Sequence, residues 1–119
     1  MPSRVQQIET IQAFLQDVKA LKKKHVSWKK MLPSIQAIVD GDDQLLSTKY
    51  RDHALTGSWS GYRELHIEGD WLLVYFIDGD GLVPVLTRTS THDELYSTRT
   101  SKQQIRQYKY AERQSFPKN

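Results

Sequence analysis

Between residues 62 and 89 the chain alternates with a period of two and is interrupted twice by turn residues, and no other feature constrains the fold as much. The three runs are 62–67, 71–77 and 82–89, separated by Glu68-Gly69-Asp70 and by Asp78-Gly79-Asp80-Gly81. Short alternating runs joined by Gly/Asp turns predict a three-stranded antiparallel meander. Pro84 has no N–H to donate, so the third strand should have a solvent-facing or bulged side there. Leu65 and Ile67 mark the core side of the first strand, which leaves Tyr62, Glu64 and His66 on the other face. Two registers fit the first hairpin. A loop of Glu68-Gly69 pairs His66 with Trp71, whereas a three-residue loop including Asp70 pairs Ile67 with Trp71.

Upstream the period is helical. Ile11, Phe14, Leu15, Val18 and Leu21 line one face of a helix predicted over 10–24, with Thr10 as N-cap and lysines in the last turn, where the macrodipole favours cations. Met31, Leu32, Ile35, Ile38 and Val39 form a second apolar set, capped by Ser27 and ended by Asp40-Gly41; Pro33 predicts a break or kink within it. Residues 4–8 are a candidate extra strand, and 42–50 read as loop. The sum is an α+β domain with two N-terminal helices packed on one face of a small antiparallel sheet and the other sheet face open. After the meander, Thr91 can cap a short turn, and in 101–113 only Ile105 and Tyr108 offer strong apolar anchors.

At 119 residues the chain suits one domain, divided here into a body, 1–96, and a basic extension, 97–119. The extension carries six basic residues against Glu112 alone, a balance of +5, while the body sums to −2. A second basic concentration spans Lys19 to Lys30. Two segments thus hold the polyanion-binding potential, and the extension is expected to supply contacts to a polyanion or to a protein partner, the alternative being a frayed, solvated appendage. The longest apolar run, 71–77, is far shorter than the roughly 18–20 residues of a membrane span, and no signal segment opens the chain, so a cytoplasmic protein without membrane contact is expected. The absence of cysteine excludes disulfides, a thiolate nucleophile and sulfur-ligated zinc.

Chemistry therefore falls to histidine, carboxylate and hydroxyl groups. His53, His66 and His92 all sit at predicted strand ends or in loops, with Asp70 in the turn near His66. Imidazoles exchange protons near neutrality, so two or three around one phosphate can run general acid and base catalysis. The same histidines with Asp70 would also suit a metal, but no H-x-H or H-x3-H pair supports that reading. Ser58 lacks the strand-to-helix elbow of a serine nucleophile, and no Gly-rich phosphate loop is present.

Taken together, Asp52-His53-x-Leu55-x-Gly57-Ser58-Trp59-x-Gly61-Tyr62-Arg63-x-x-His66-x-x-x-Asp70-Trp71 and Arg88-Thr89-x-Thr91-His92-x-x-Leu95-Tyr96 resemble the YafQ branch of the RelE-type bacterial toxins. The resemblance implies a RelE-like microbial RNase fold. It also implies the toxin of a type II toxin–antitoxin pair, an endoribonuclease that acts on messenger RNA in the ribosomal A site and is held inactive by a cognate antitoxin. Attack by the RNA's own 2′-hydroxyl needs neither metal nor cofactor. Carried over by position, His53, His66, Asp70 and His92 match the family's catalytic residues, and Trp71 matches an active-site aromatic. Arg63, Trp71, Arg88 and Tyr96 are the expected RNA contacts, although Tyr96 stands where the best-known relative has phenylalanine. The competing reading is a non-catalytic ParE-like toxin that binds a protein target such as gyrase; its relatives lack this histidine set.

Overall fold

A computed structural model describes residues 8–79, 83–97 and 100–116. The meander forms as β3 (Arg63–Glu68), β4 (Trp71–Asp78) and β5 (Val83–Thr91). It is the centre of a wider, mixed sheet. The short β2 (His53–Ala54) extends it on one side, and β1 (Ile8–Ile11) and β6 (Arg113–Phe116) on the other, in the order β2-β3-β4-β5-β1-β6. β1 is parallel to β5; the remaining pairs are antiparallel.

The N-terminal strand lies later than the expected 4–8, of which 4–7 are outside the described residues. This displaces the start of the first helix. Thr10 is not its N-cap but a buried strand residue, and α1 (Gln12–Lys23) begins after Ile11 with no side-chain cap. α1 runs along β5 beyond the end of β1, so the Thr89 N–H, left without a strand partner, donates to Asp17 at 2.9 Å. A buried backbone donor at a sheet edge needs such an acceptor. The break at Pro33 resolves as a 3-10 turn, Trp28–Met31, leading into α2 (Leu32–Asp40), with the proline in the first turn, where no N–H is required. Gly41 ends α2 in the left-handed region, φ 66°.

The expected loop at 42–50 is instead largely helical. Asp42 accepts from the Leu45 N–H and caps α3 (Asp43–Thr48), whose Leu46 enters the core. With only the adjacent Leu45 and Leu46 apolar in six residues, no helical period was visible.

Both faces of the sheet are covered. Phe14, Met31, Ile35, Ile38 and Leu46 pack against Leu65, Trp71, Leu73, Tyr75 and Leu86 on the helical face. On the opposite face Tyr62, Leu72, Val74 and Phe76 are also buried, under α4 (His92–Tyr96) and α5 (Lys102–Gln107). That face is thus not open as expected. Ser101 caps α5 by accepting from Gln104, and Ile105 and Tyr108, one helical turn apart, both face the sheet. Tyr62 donates to the Ile105 carbonyl at 2.5 Å, and Arg113 ties β6 down through Asp78 at 2.6 Å and Glu9 at 3.4 Å. The segment 100–116 is therefore a packed part of the domain and not a frayed appendage. No helix among the described residues is long and apolar enough to cross a membrane.

Candidate functional site

The first hairpin takes neither anticipated register. Its loop is Gly69-Asp70, with Gly69 at φ 54°, and a bulge at Ile67 lets Glu68 pair with Trp71 while His66 pairs with Leu72. His66 and Glu64, two apart on β3, share the face opposite α1 and α2, the one that α4 and α5 cover. Next to them, Arg51 adopts a left-handed backbone, φ 53°, which turns the chain out of α3 into β2 and places His53 directly across from Glu64.

Glu64 is the centre of the site, and its side chain is only 6% exposed. One carboxylate oxygen lies 3.5 Å from His53 Nε2 and 3.5 Å from His66 Nε2. The other accepts a hydrogen bond from the Tyr96 hydroxyl. Burial first, and the Glu64 carboxylate second, hold the Tyr96 phenol well above its ordinary value of 10, so Tyr96 acts as a donor and not as a base. His92, at the start of α4, sets its ring edge-on to Tyr96 at 4.8 Å, and the His53 and His66 rings are 6.3 Å apart. His53 Nδ1 is 2.8 Å from the Arg51 carbonyl oxygen, so with Nδ1–H committed there, Nε2 is the nitrogen left to take or give a proton. His53 and His92 are half exposed or more, at 51% and 63%, and are open to a ligand.

The other anticipated residues are placed differently. Asp70 is exposed at the hairpin tip, where it meets the site through its backbone carbonyl, which accepts from the His92 N–H at 3.1 Å, and lines a recess with Leu21, Lys24 and Trp71. Arg63 follows the opposite strand parity: it lies on the helical face, its Nε 2.7 Å from Asp52, which also accepts from Tyr75. It pairs with a carboxylate there and does not reach the histidine cluster. Trp71 is likewise buried in the helical core, 7% exposed, with its indole N–H donating to Thr89 at 2.7 Å, so it presents no free ring face for stacking. Arg88 shares the Glu64 face but grips Asp17 in two places, at 2.6 and 3.1 Å, and Tyr108 at 3.0 Å. Burial alone would lower the Arg88 value, yet Asp17 holds it raised and permanently charged, while burial pushes the Asp17 carboxyl up. With a side-chain exposure of 15%, Arg88 is a spent cation that braces α1 against β5.

Two features escaped sequence reasoning. Glu64 had a signal, since it stands two residues from His66 on an alternating strand and so on the same face. The second concerns metal: His53, Glu64 and His66 place their ligand atoms all within 4.8 Å of one another, a possible three-ligand set different from the one that included His92 and Asp70.

The bacterial type II toxin–antitoxin toxin family YafQ matches residues 6–97. The mRNA interferase toxin YafQ of Escherichia coli (strain K12) is 37% identical over 89 residues, covering 75% of this chain and 94% of that protein. Among solved structures, the E. coli DinJ–YafQ toxin–antitoxin complex aligns with a TM-score of 0.64 at 34% identity, covering 76% of this chain and 96% of the YafQ chain. A metal-bound toxin from Helicobacter pylori aligns with a TM-score of 0.65 at 34% identity, covering 76% and 98%.

Proposed function

We propose, from the premise that this chain belongs to the YafQ family of type II toxin–antitoxin toxins and is an endoribonuclease, that it cleaves translated messenger RNA by metal-free acid–base catalysis at the His53, His66 and His92 cluster. The observation that carries the reading is the gathering of three imidazoles around the buried Glu64–Tyr96 pair.

In the reaction, the ribose 2′-oxygen attacks the adjacent phosphorus as its proton passes to one imidazole. The bond to the 5′-oxygen breaks as a second imidazole protonates that leaving group, giving a 2′,3′-cyclic phosphate and a 5′-hydroxyl. His53 and His92, the two more exposed rings, carry the protons. His66, at 31% exposure and 3.5 Å from Glu64, supports the charge that develops on the phosphorane, and Asp70 positions His92 through its backbone carbonyl. Glu64 is a positioning residue that acts through the imidazoles. The ribosomal A site is the proposed place of cleavage, and a cognate antitoxin, by analogy with the DinJ complex, the proposed inhibitor.

The test is primer extension on a translated message after induction of the wild-type chain and of His92→Ala. Loss of one proton-transfer group should slow cleavage roughly 10²- to 10⁴-fold. Undiminished growth arrest in the variant with messages intact would instead favour a ParE-like binder. The His53–Glu64–His66 triad favours one second reading, metal-assisted hydrolysis. Abolition of cleavage by chelator, together with products lacking the cyclic phosphate, would select it.

A further inference from the structure

The family match ends at residue 97, yet the chain continues into a structured element that carries unneutralised charge. α5 and the following 3-10 turn, Tyr108–Tyr110, rest against the loop that leaves β2, where Gly57–Trp59 forms its own 3-10 turn. Ile105 and Tyr108 point inward. The outward side presents Lys102 and Arg106 around Ser58, with Lys109 and Tyr110 alongside.

Among the described residues no carboxylate lies within ion-pair distance of Lys102, Arg106 or Lys109. This contrasts with Arg63, Arg88 and Arg113, each spent on an acidic partner. Lys109 is fixed in place, its ammonium 5.0 Å from the Tyr62 ring centroid and 5.6 Å from that of Phe76. Tyr110 is 89% exposed, far more than any other large hydrophobic side chain among the described residues, and lines a shallow recess with Arg106. A row of cations beside a free aromatic face is what a phosphate backbone and an unstacked base require together. The row borders the loop that leaves β2 just after His53, through Gly57, Ser58 and Ser60, and the same loop's Trp59 packs beneath it between Tyr108 at 6.1 Å and Tyr96 at 5.8 Å, which ties the two regions to one support.

We infer that Lys102, Arg106, Lys109 and Tyr110 form a second RNA-binding surface, which holds the strand flanking the scissile phosphodiester by its phosphates and stacks one of its bases on Tyr110. This rests on the ribonuclease reading above and assigns it a substrate contact that the family match does not cover. An acidic protein segment would also meet the cations, but it has no base to stack on the exposed Tyr110 ring, and the antitoxin arm of the experiment distinguishes it.

The experiment measures fluorescence anisotropy of a labelled single-stranded RNA with the full chain across a salt series, alongside cleavage of a translated message. Lys102→Gln with Arg106→Gln removes two phosphate contacts. The slope of log affinity against log salt should become shallower by about 1.4, and affinity at 0.1 M salt should fall about 25-fold relative to 1 M, where the curves converge. Tyr110→Ala should weaken binding about tenfold at every salt concentration and leave the slope unchanged. None of the three residues has a packing or hydrogen-bonding role that would unfold the chain when replaced. If the wild type cleaves while both variants bind RNA with its affinity and slope, this surface is refuted and the ribonuclease reading stands. If the wild type neither binds nor cleaves, both are refuted. Loss of antitoxin binding in the double variant, with RNA binding unchanged, also refutes the assignment in favour of a protein contact.

Discussion

Replacing Tyr96 by phenylalanine removes a single oxygen and leaves the ring against Trp59 and His92. What it takes away is the hydroxyl donor to Glu64, whose carboxylate is 6% exposed and whose other oxygen faces two imidazoles at 3.5 Å. A hydrogen bond to a buried charged group contributes about 1.5–3 kcal/mol, and an unpartnered buried acceptor carries its full desolvation cost. Water entering beside the half-exposed His53 recovers part of this, so about 2 kcal/mol is the expected loss. For a chain of this size that corresponds to roughly 8 °C in Tm. The measurement is a pair of urea denaturation curves repeated in a Glu64→Gln background. A neutral amide oxygen still accepts from Tyr96, but such a bond is worth only about 1 kcal/mol. Tyr96→Phe should therefore cost about 1 kcal/mol less there, and that difference isolates the charge-assisted part of the contact. An equal cost in both backgrounds, or a cost under about 0.5 kcal/mol in the wild type, would refute Glu64 as the hub of the site.

Three further outcomes follow from the packing. Ile105→Ala should lower stability by about 3 kcal/mol in urea denaturation, the usual cost of a buried isoleucine, because Ile105 is 2% exposed beneath the sheet; an unchanged midpoint would show that α5 does not complete the core. Asp17→Asn should cost about 3 kcal/mol by the same assay, since it strands the nearly buried Arg88 guanidinium and weakens the acceptor of the Thr89 N–H. Arg113 holds the Asp78 carboxyl below its ordinary value of 3.8, so the contact supports the fold above that pH and is lost as pH falls through the lowered folded-state value. Thermal melts should accordingly separate Asp78→Asn from wild type at neutral pH, draw together as pH falls below 3.8 and converge only under the lowered folded-state value, whereas a separation that persists beyond that would remove Asp78 from the anchoring of β6.

The meander, the two helical faces, the proline break and the Thr91 cap were legible from residue type and spacing, because each is a local property: a turn needs glycine or aspartate, an alternating run has two sides, and a hydroxyl at the boundary can cap, as Thr91 does and as Thr10 and Ser27 do not. The histidine set and the family resemblance were legible for the same reason. Which side faced which partner was not. Arg63 and Trp71 sit within a few residues of His66, yet their side chains fall on the opposite face: Arg63 shares the strand parity of Leu65, and Trp71 follows the bulge at Ile67 that resets the pairing onto β4, a strand apolar on both sides, with Leu73 and Tyr75 facing α1 and α2 and Leu72, Val74 and Phe76 facing the opposite way. The unbroken apolar run 71–77 was itself the sign of a strand buried on both faces.

What the amino-acid order alone determined is thus the inventory: strands, helices, imidazoles and a basic C-terminal segment in a −2 body. Only the tertiary structure decided that Glu64 gathers two histidines and Tyr96, that Arg88 is consumed by Asp17, and that the extension closes the sheet while keeping Lys102 and Arg106 unpaired. Apart from His66 and Glu64, which are neighbours on one strand face, those outcomes depend on contacts such as His53–Glu64, Tyr96–Glu64, Arg88–Asp17 and Arg113–Glu9, between residues 11 to 104 positions apart. Such contacts form only once the sheet has set the register, and no local propensity encodes them.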